Sequence, residues 1–142
     1  MQALQFWKAV ALDEANMLEG LVGLFEEHAV AYCVIGGQAV NAYVEPLVSN
    51  LSLEGSGLRA QIQTDPRYAT FLERAERRDV LGLALPVASI EDTLQGKVWA
   101  VTDPTRRASK RQKDLADIAR ILEAGPALRS RVPEAVLGRL MG

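Results

Sequence analysis

Two adjacent glycines interrupt the apolar run Val34-Ile35-Gly36-Gly37-Gln38-Ala39-Val40, between a strand-like stretch and a helix-forming one. The missing side chains at that junction let a phosphate group or another backbone come close to the main-chain N–H groups. A strand that turns into a helix at this point places the first strand inside the domain. The remaining elements must then be arranged around it.

The chain has 142 residues, which is the size of one domain and enough to bury roughly two-thirds of its unfolded surface. Aromatic residues make up 6%, so the core is expected to be Leu, Val, Ile and Ala. A net charge of −2 provides no global attraction to nucleic acid, so any such binding must come from a local patch. The single Cys33 excludes an internal disulfide and a cysteine-based zinc site, and its apolar neighbours suggest a buried, inert thiol. His28, the only histidine, falls at the expected end of the first helix as a solvated or helix-capping residue. No stretch has the length of a membrane span, and no charged-then-apolar leader opens the sequence, so a cytoplasmic protein is expected.

Apolar periodicity predicts a helix from about Leu4 to His28, with Leu18, Leu21, Val22 and Phe25 on its stripe. A buried strand follows at Ala31 to Ile35, then a short helix at Gln38 to Tyr43. Alternation over Leu47–Leu53 and Leu58–Thr64, around Glu54-Gly55-Ser56-Gly57, reads as a β-hairpin. A short helix at Tyr68 to Ala75 and a single strand at Asp79 to Leu85, ended by Pro86, come next. Ser89-Ile90-Glu91-Asp92 is a capping signature that opens a helix to about Val101. A stronger helix spans about Ser109 to Ala124 and stops at Gly125-Pro126, and a weaker one starts at Pro133. The expected architecture is α/β in the α+β sense, one domain with a small mixed sheet and helices on one side. Its parts are an N-terminal helix (1–30), a sheet region (31–88) and C-terminal helices (89–142).

The strand entering Ile35-Gly36-Gly37-Gln38-Ala39 resembles the opening motif of nucleotidyltransferases of the DNA-polymerase-β superfamily. The closest likeness is to the small bacterial branch of minimal nucleotidyltransferases and AbiEii-type toxins. A second similarity lies downstream: Pro86, the acid-capped helix with Glu91-Asp92 and Lys97, the basic Arg106-Arg107, and Lys113-Asp114-Leu115-Ala116-Asp117. The resemblance covers roughly Ala29 to Leu122. It implies a truncated nucleotidyltransferase-like fold, in which Gly36, Gly37 and Gln38 hold a nucleoside triphosphate and Lys97 and Lys113 offset its charge. Such an enzyme would move a nucleotidyl group to a hydroxyl on RNA or protein, with Mg²⁺.

The sequence departs from that family at its metal ligands. Two carboxylates at i and i+2 of a strand face the same way and together hold divalent ions. The 18 acidic residues here include no such pair. Pro46-Leu47-Val48-Ser49-Asn50 stands where the pair is expected, as though a catalytic hairpin were missing between Ser49 and Asn50. Gln61 and Gln63 stand where a third carboxylate is expected, and neutral amides are poor substitutes for anionic ligands. Transferase activity is therefore expected to be weak or lost, with no cofactor if it is lost. The alternatives are a non-catalytic binding or assembly module, either a toxin–antitoxin component or a scaffold that homodimerises through an open strand edge, or a nucleic-acid binder.

Each candidate also has a plainer reading. Gly36-Gly37 serves either a phosphate or tight strand-to-helix packing. Lys97 points either to a phosphate or into solvent. Lys113, Asp114 and Asp117 either follow the family motif, with the two acids sharing an ion, or form a solvated face with i,i+4 pairs Lys110–Asp114 and Lys113–Asp117. Arg106, Arg107, Lys110, Arg111 and Lys113 either meet RNA or form a solvated helix start, and no aromatic residue interleaves with them. Ser52, Ser56 and Ser89 lack a neighbouring base, which argues against a Ser–His nucleophile.

Overall fold

The computed structural model describes residues 14–44, 63 and 65–140. The first turns of the N-terminal helix and the hairpin expected at Leu47 to Thr64 lie outside the described residues, apart from Gln63. The described chain is a small α+β structure. Helices α1 (Glu14–Glu27) and α2 (Gly37–Tyr43) come first, followed by a 3₁₀ segment, Pro66–Arg74. Strands β1 (Glu76–Val80) and β2 (Leu83–Val87) are next, then α3 (Ile90–Thr102), α4 (Ala108–Ala124), a second 3₁₀ segment, Pro126–Arg131, and α5 (Glu134–Leu140). Among the described residues, no helix is long and apolar enough to cross a membrane.

The single strand expected at Asp79 to Leu85 is instead an antiparallel hairpin, with Arg78 opposite Leu85 and Val80 opposite Leu83. The reversal sits at Leu81-Gly82, where both residues have positive φ (51° and 87°), the backbone of a tight two-residue hairpin turn. Apolar content concealed this turn in the sequence, because Leu81 is not a usual turn residue.

The strand expected at Ala31 to Ile35 contracts to one parallel bridge, Val34 to Val87. Val34 N–H donates to Pro86 O at 2.8 Å, and Ala88 N–H donates to Val34 O at 2.9 Å. The next rung would need an N–H from residue 86 toward Tyr32, and proline has none. On the other side, Ala88 O accepts from the Tyr43 hydroxyl at 3.0 Å and from Thr93 Oγ1 at 3.3 Å, and the chain turns away at Gly36.

Helix α2 is wedged between two apolar clusters. Ala39 faces Val80, Leu85 and Val87 of the hairpin, joined by Leu18 and Val22 of α1. Val40, the next residue, faces the larger helical core of Leu94, Val98, Val101, Leu115, Ile118 and Ile121, closed from below by Val132, Val136 and Leu137. Both Ala39 and Val40 are 0% exposed, so seven residues of helix join the sheet to the helical layer. The start of α3 follows expectation, with Ser89 Oγ accepting from Asp92 N–H at 3.1 Å. The first 3₁₀ segment docks on α3 through rings: Tyr68 lies edge-on to Trp99 at 5.2 Å, and Phe71 stacks on Trp99 at 5.8 Å.

Candidate functional site

Asp114 and Asp117 are three residues apart on α4, so they share a face. That face is also the one carrying Ile118 and Ile121, so both carboxylates are turned into the protein, at 1% and 4% exposure. Lys97 sits on α3 between Leu94 and Val98, on the side that packs against α4, and it too is buried. Its Nζ donates to Asp114 Oδ1 at 3.0 Å and meets Asp117 Oδ2 at 2.9 Å as an ion pair that is not aligned as a hydrogen bond.

Two arginines extend this pair into a ladder. Arg106, in the link between α3 and α4, donates Nε to Asp114 Oδ2 at 2.8 Å and Nη2 to Oδ1 at 3.2 Å. Arg120 donates Nη1 to Asp117 Oδ1 at 3.0 Å. Its Nη2 reaches Asn41 Oδ1 at 3.1 Å and the Val44 carbonyl at 3.4 Å, which ties α4 to the end of α2. Removing these groups from water is costly, and the dense pairing offsets that cost. Among the described residues, Lys97, Arg106 and Arg120 share the two carboxylates of Asp114 and Asp117.

This arrangement corrects two expectations. Lys97 neither points into solvent nor stands free for a phosphate, because both acids of α4 engage it. The acids themselves are not part of a solvated face with i,i+4 partners Lys110 and Lys113. They pair inward with Lys97, Arg106 and Arg120. With their oxygens taken by ammonium and guanidinium groups, they do not form a shared ion site in this arrangement. Among the described residues, no group of three or more His, Cys, Asp or Glu is placed to hold a metal ion.

The described residues leave the glycine turn uncovered. Gly36 has φ 75° and ψ −148°, a backbone that side-chain-bearing residues avoid, and among the described residues, its chain neighbours aside, nothing lies within 4 Å of where its Cβ would be. At Gly37 the nearest atom to such a Cβ is Lys113 Nζ, 3.8 Å away. Tight packing against the described protein therefore does not account for either glycine. Lys113 is exposed and Gln38 is half-buried on the first turn of α2, so the structure brings Gly36, Gly37, Gln38 and Lys113 to one opening. Arg111 is partly committed elsewhere, with Nη2 donating to the Asp103 and Arg106 carbonyls at 3.2 and 2.9 Å, while Arg107 is exposed and Lys110 half-buried.

The sequence reading missed Arg120 and Asn41. The signal for Arg120 was its spacing from Asp117 on an otherwise apolar face, while nothing local marks Asn41 as its partner. His28 is exposed, and Cys33 is half-buried with its thiol pushed up by burial and then by the Asp92 carboxylate. No family model, no curated protein and no solved structure matches this chain.

Proposed function

We propose that this domain binds the polyphosphate of a nucleoside triphosphate at the Gly36-Gly37 turn and is a nucleotidyltransferase-like domain whose transfer chemistry is weak or lost. The observation that carries the reading is the open turn facing the Lys113 ammonium, with no described protein atom closer to either glycine's Cβ position. Unhindered backbone N–H groups together with a nearby flexible cation suit a phosphate chain. The resemblance of Gly-Gly-x-Ala and Lys-Asp-x-x-Asp to the polymerase-β superfamily supports the choice of a nucleotide over a simple anion. In that superfamily's reaction a hydroxyl would displace pyrophosphate from the α-phosphorus, and a divalent ion held by paired carboxylates would stabilise the charge. Loss of the paired carboxylates from the sequence removes the groups that would hold that ion.

Calorimetric titration with each nucleoside triphosphate, with and without Mg²⁺, tests the reading. Binding stronger than about 1 mM is expected, weakened at least about tenfold by Lys113→Glu or Gly37→Val. Melting curves of both variants check that the fold survives. The absence of binding by any triphosphate, or binding indifferent to both changes, would refute the reading.

A further inference from the structure

The two long helices begin in opposite ways. α3 opens with a Ser89 cap and with Glu91 and Asp92 in its first turn, as the positive end of a helix dipole favours. α4 opens with no side-chain cap and no acid, and its N-cap is Arg107. Arg106, Lys110, Arg111 and Lys113 crowd the same end, where the dipole makes cations unfavourable. Arg111 Nε is buried without a hydrogen-bond partner, so donors exceed acceptors at this corner.

Folding places aromatic rings beside that excess of cations, although none interleaves in sequence. Trp99 is one helical turn before Asp103, on the last turns of α3. One side of its ring system stacks on Phe71, with planes 5° apart, and the Arg67 guanidinium lies 4.5 Å from its ring centre. Arg67 is exposed and held by Asp65, with Nε at 3.0 Å and Nη2 at 2.8 Å from Oδ2. Arg111, in the first turns of α4, donates Nη2 to the Asp103 carbonyl at 3.2 Å, so the end of α3 that carries Trp99 adjoins the basic start of α4.

We infer that this α3–α4 corner is a docking surface for a single-stranded nucleic acid. Phosphates neutralise Arg107, Lys110 and the uncapped start of α4, and a base stacks against the Arg67–Trp99 corner. Stacking of this kind tolerates any base and needs bases that are not already paired, which favours a single strand over a duplex. A guanidinium lying over an aromatic ring and phosphate-neutralising cations are both present, whereas a lipid surface would call for exposed apolar anchors beside the cations. Among the described residues the exposed large apolar side chains are Leu24, Val30, Leu72 and Leu81; Leu72 alone shares an element with the surface, the 3₁₀ segment that carries Arg67, and one such side chain makes no apolar anchor patch. The inference does not depend on nucleotide binding at the glycine turn, because Arg67, Arg107 and Lys110, which it assigns to the strand, take no part there.

Fluorescence anisotropy with labelled single strands of about ten nucleotides, oligo-dT and oligo-rU, tests it on the full chain. Affinity is expected to fall with salt on a log–log slope of about −2, for about three neutralised phosphates. The double change Arg107→Glu/Lys110→Glu, at one exposed and one half-buried position, should weaken binding at least about tenfold, and Arg67→Ala about fivefold. Trp99→Phe retains the ring packing and tests the stack without emptying it, and Gly37→Val should leave this binding unchanged. No binding at low salt, binding unmoved by charge reversal, or tighter binding to a duplex or to anionic vesicles would overturn the inference.

Discussion

Lys97 of α3 donates to Asp114 of α4 across 3.0 Å, with both side chains at 8% exposure or less. The two longest helices after the hairpin are thus joined by a buried ion pair as well as by apolar contact. Removing one partner strands a charge in the core. Asp114→Ala should destabilise the fold by about 3–5 kcal/mol, measured by urea denaturation. Lys97→Met should cost a similar amount, and the double variant less than the sum, because each single change strands the charge that the other removes. A loss below about 1 kcal/mol for Asp114→Ala would mean that water reaches the ladder.

Leu81 adopts φ 51° in the hairpin turn and is one of the exposed large apolar residues. A side chain with a branched γ-carbon gains little there and pays the left-handed penalty. Leu81→Asn should raise stability by about 1 kcal/mol, because Asn-Gly suits this turn. An unchanged or lower denaturation midpoint would show that the turn is not in this form in solution.

The Tyr43 phenol is pushed up to about 12, first by burial and then by the Glu76 carboxylate it faces, with the Arg78 guanidinium opposing the shift. Its native value lies above the unfolded value of about 10. Its contribution to stability is therefore fully present below pH 10 and is lost as pH rises toward 12. A tyrosinate absorbance titration should show one late-ionising phenol that disappears in Tyr43→Phe. An intact late phase in that variant would assign it to another tyrosine.

Ser89 Oγ accepts from the Asp92 amide at 3.1 Å in a buried setting. Ser89→Ala should cost about 1 kcal/mol, read as a lower thermal midpoint, with Ser89→Gly costing less. Equal losses for the two would point to backbone freedom and not to the cap.

Where local rules suffice, the sequence predicts the fold well. The Ser89 cap, the Gly125-Pro126 stop and the apolar stripe Leu115–Ile118–Leu122 mark α3 and α4 within a residue or so of their observed ends. The hairpin at Leu81-Gly82 was missed because two compatible runs of β-formers hide a turn whose only punctuation is one glycine. The strand at Ala31 to Ile35 was overread because its length depends on a missing N–H at Pro86, fifty residues later in the chain.

What the sequence determined by itself is the order of helices, the glycine turn and the absence of paired strand carboxylates, because these depend on neighbouring residues and on composition. What only the tertiary structure decided is the role of the charges. Lys97, Asp114 and Asp117 each had two readings on a linear sequence and, with Arg120, are the core of a buried ladder, while Trp99 and Arg67, far apart in sequence, pack together. The reason is physical: a charge on a helix is at home in water until an opposing helix brings its counter-charge within hydrogen-bonding distance, and that distance is set by packing between elements, which no local pattern encodes.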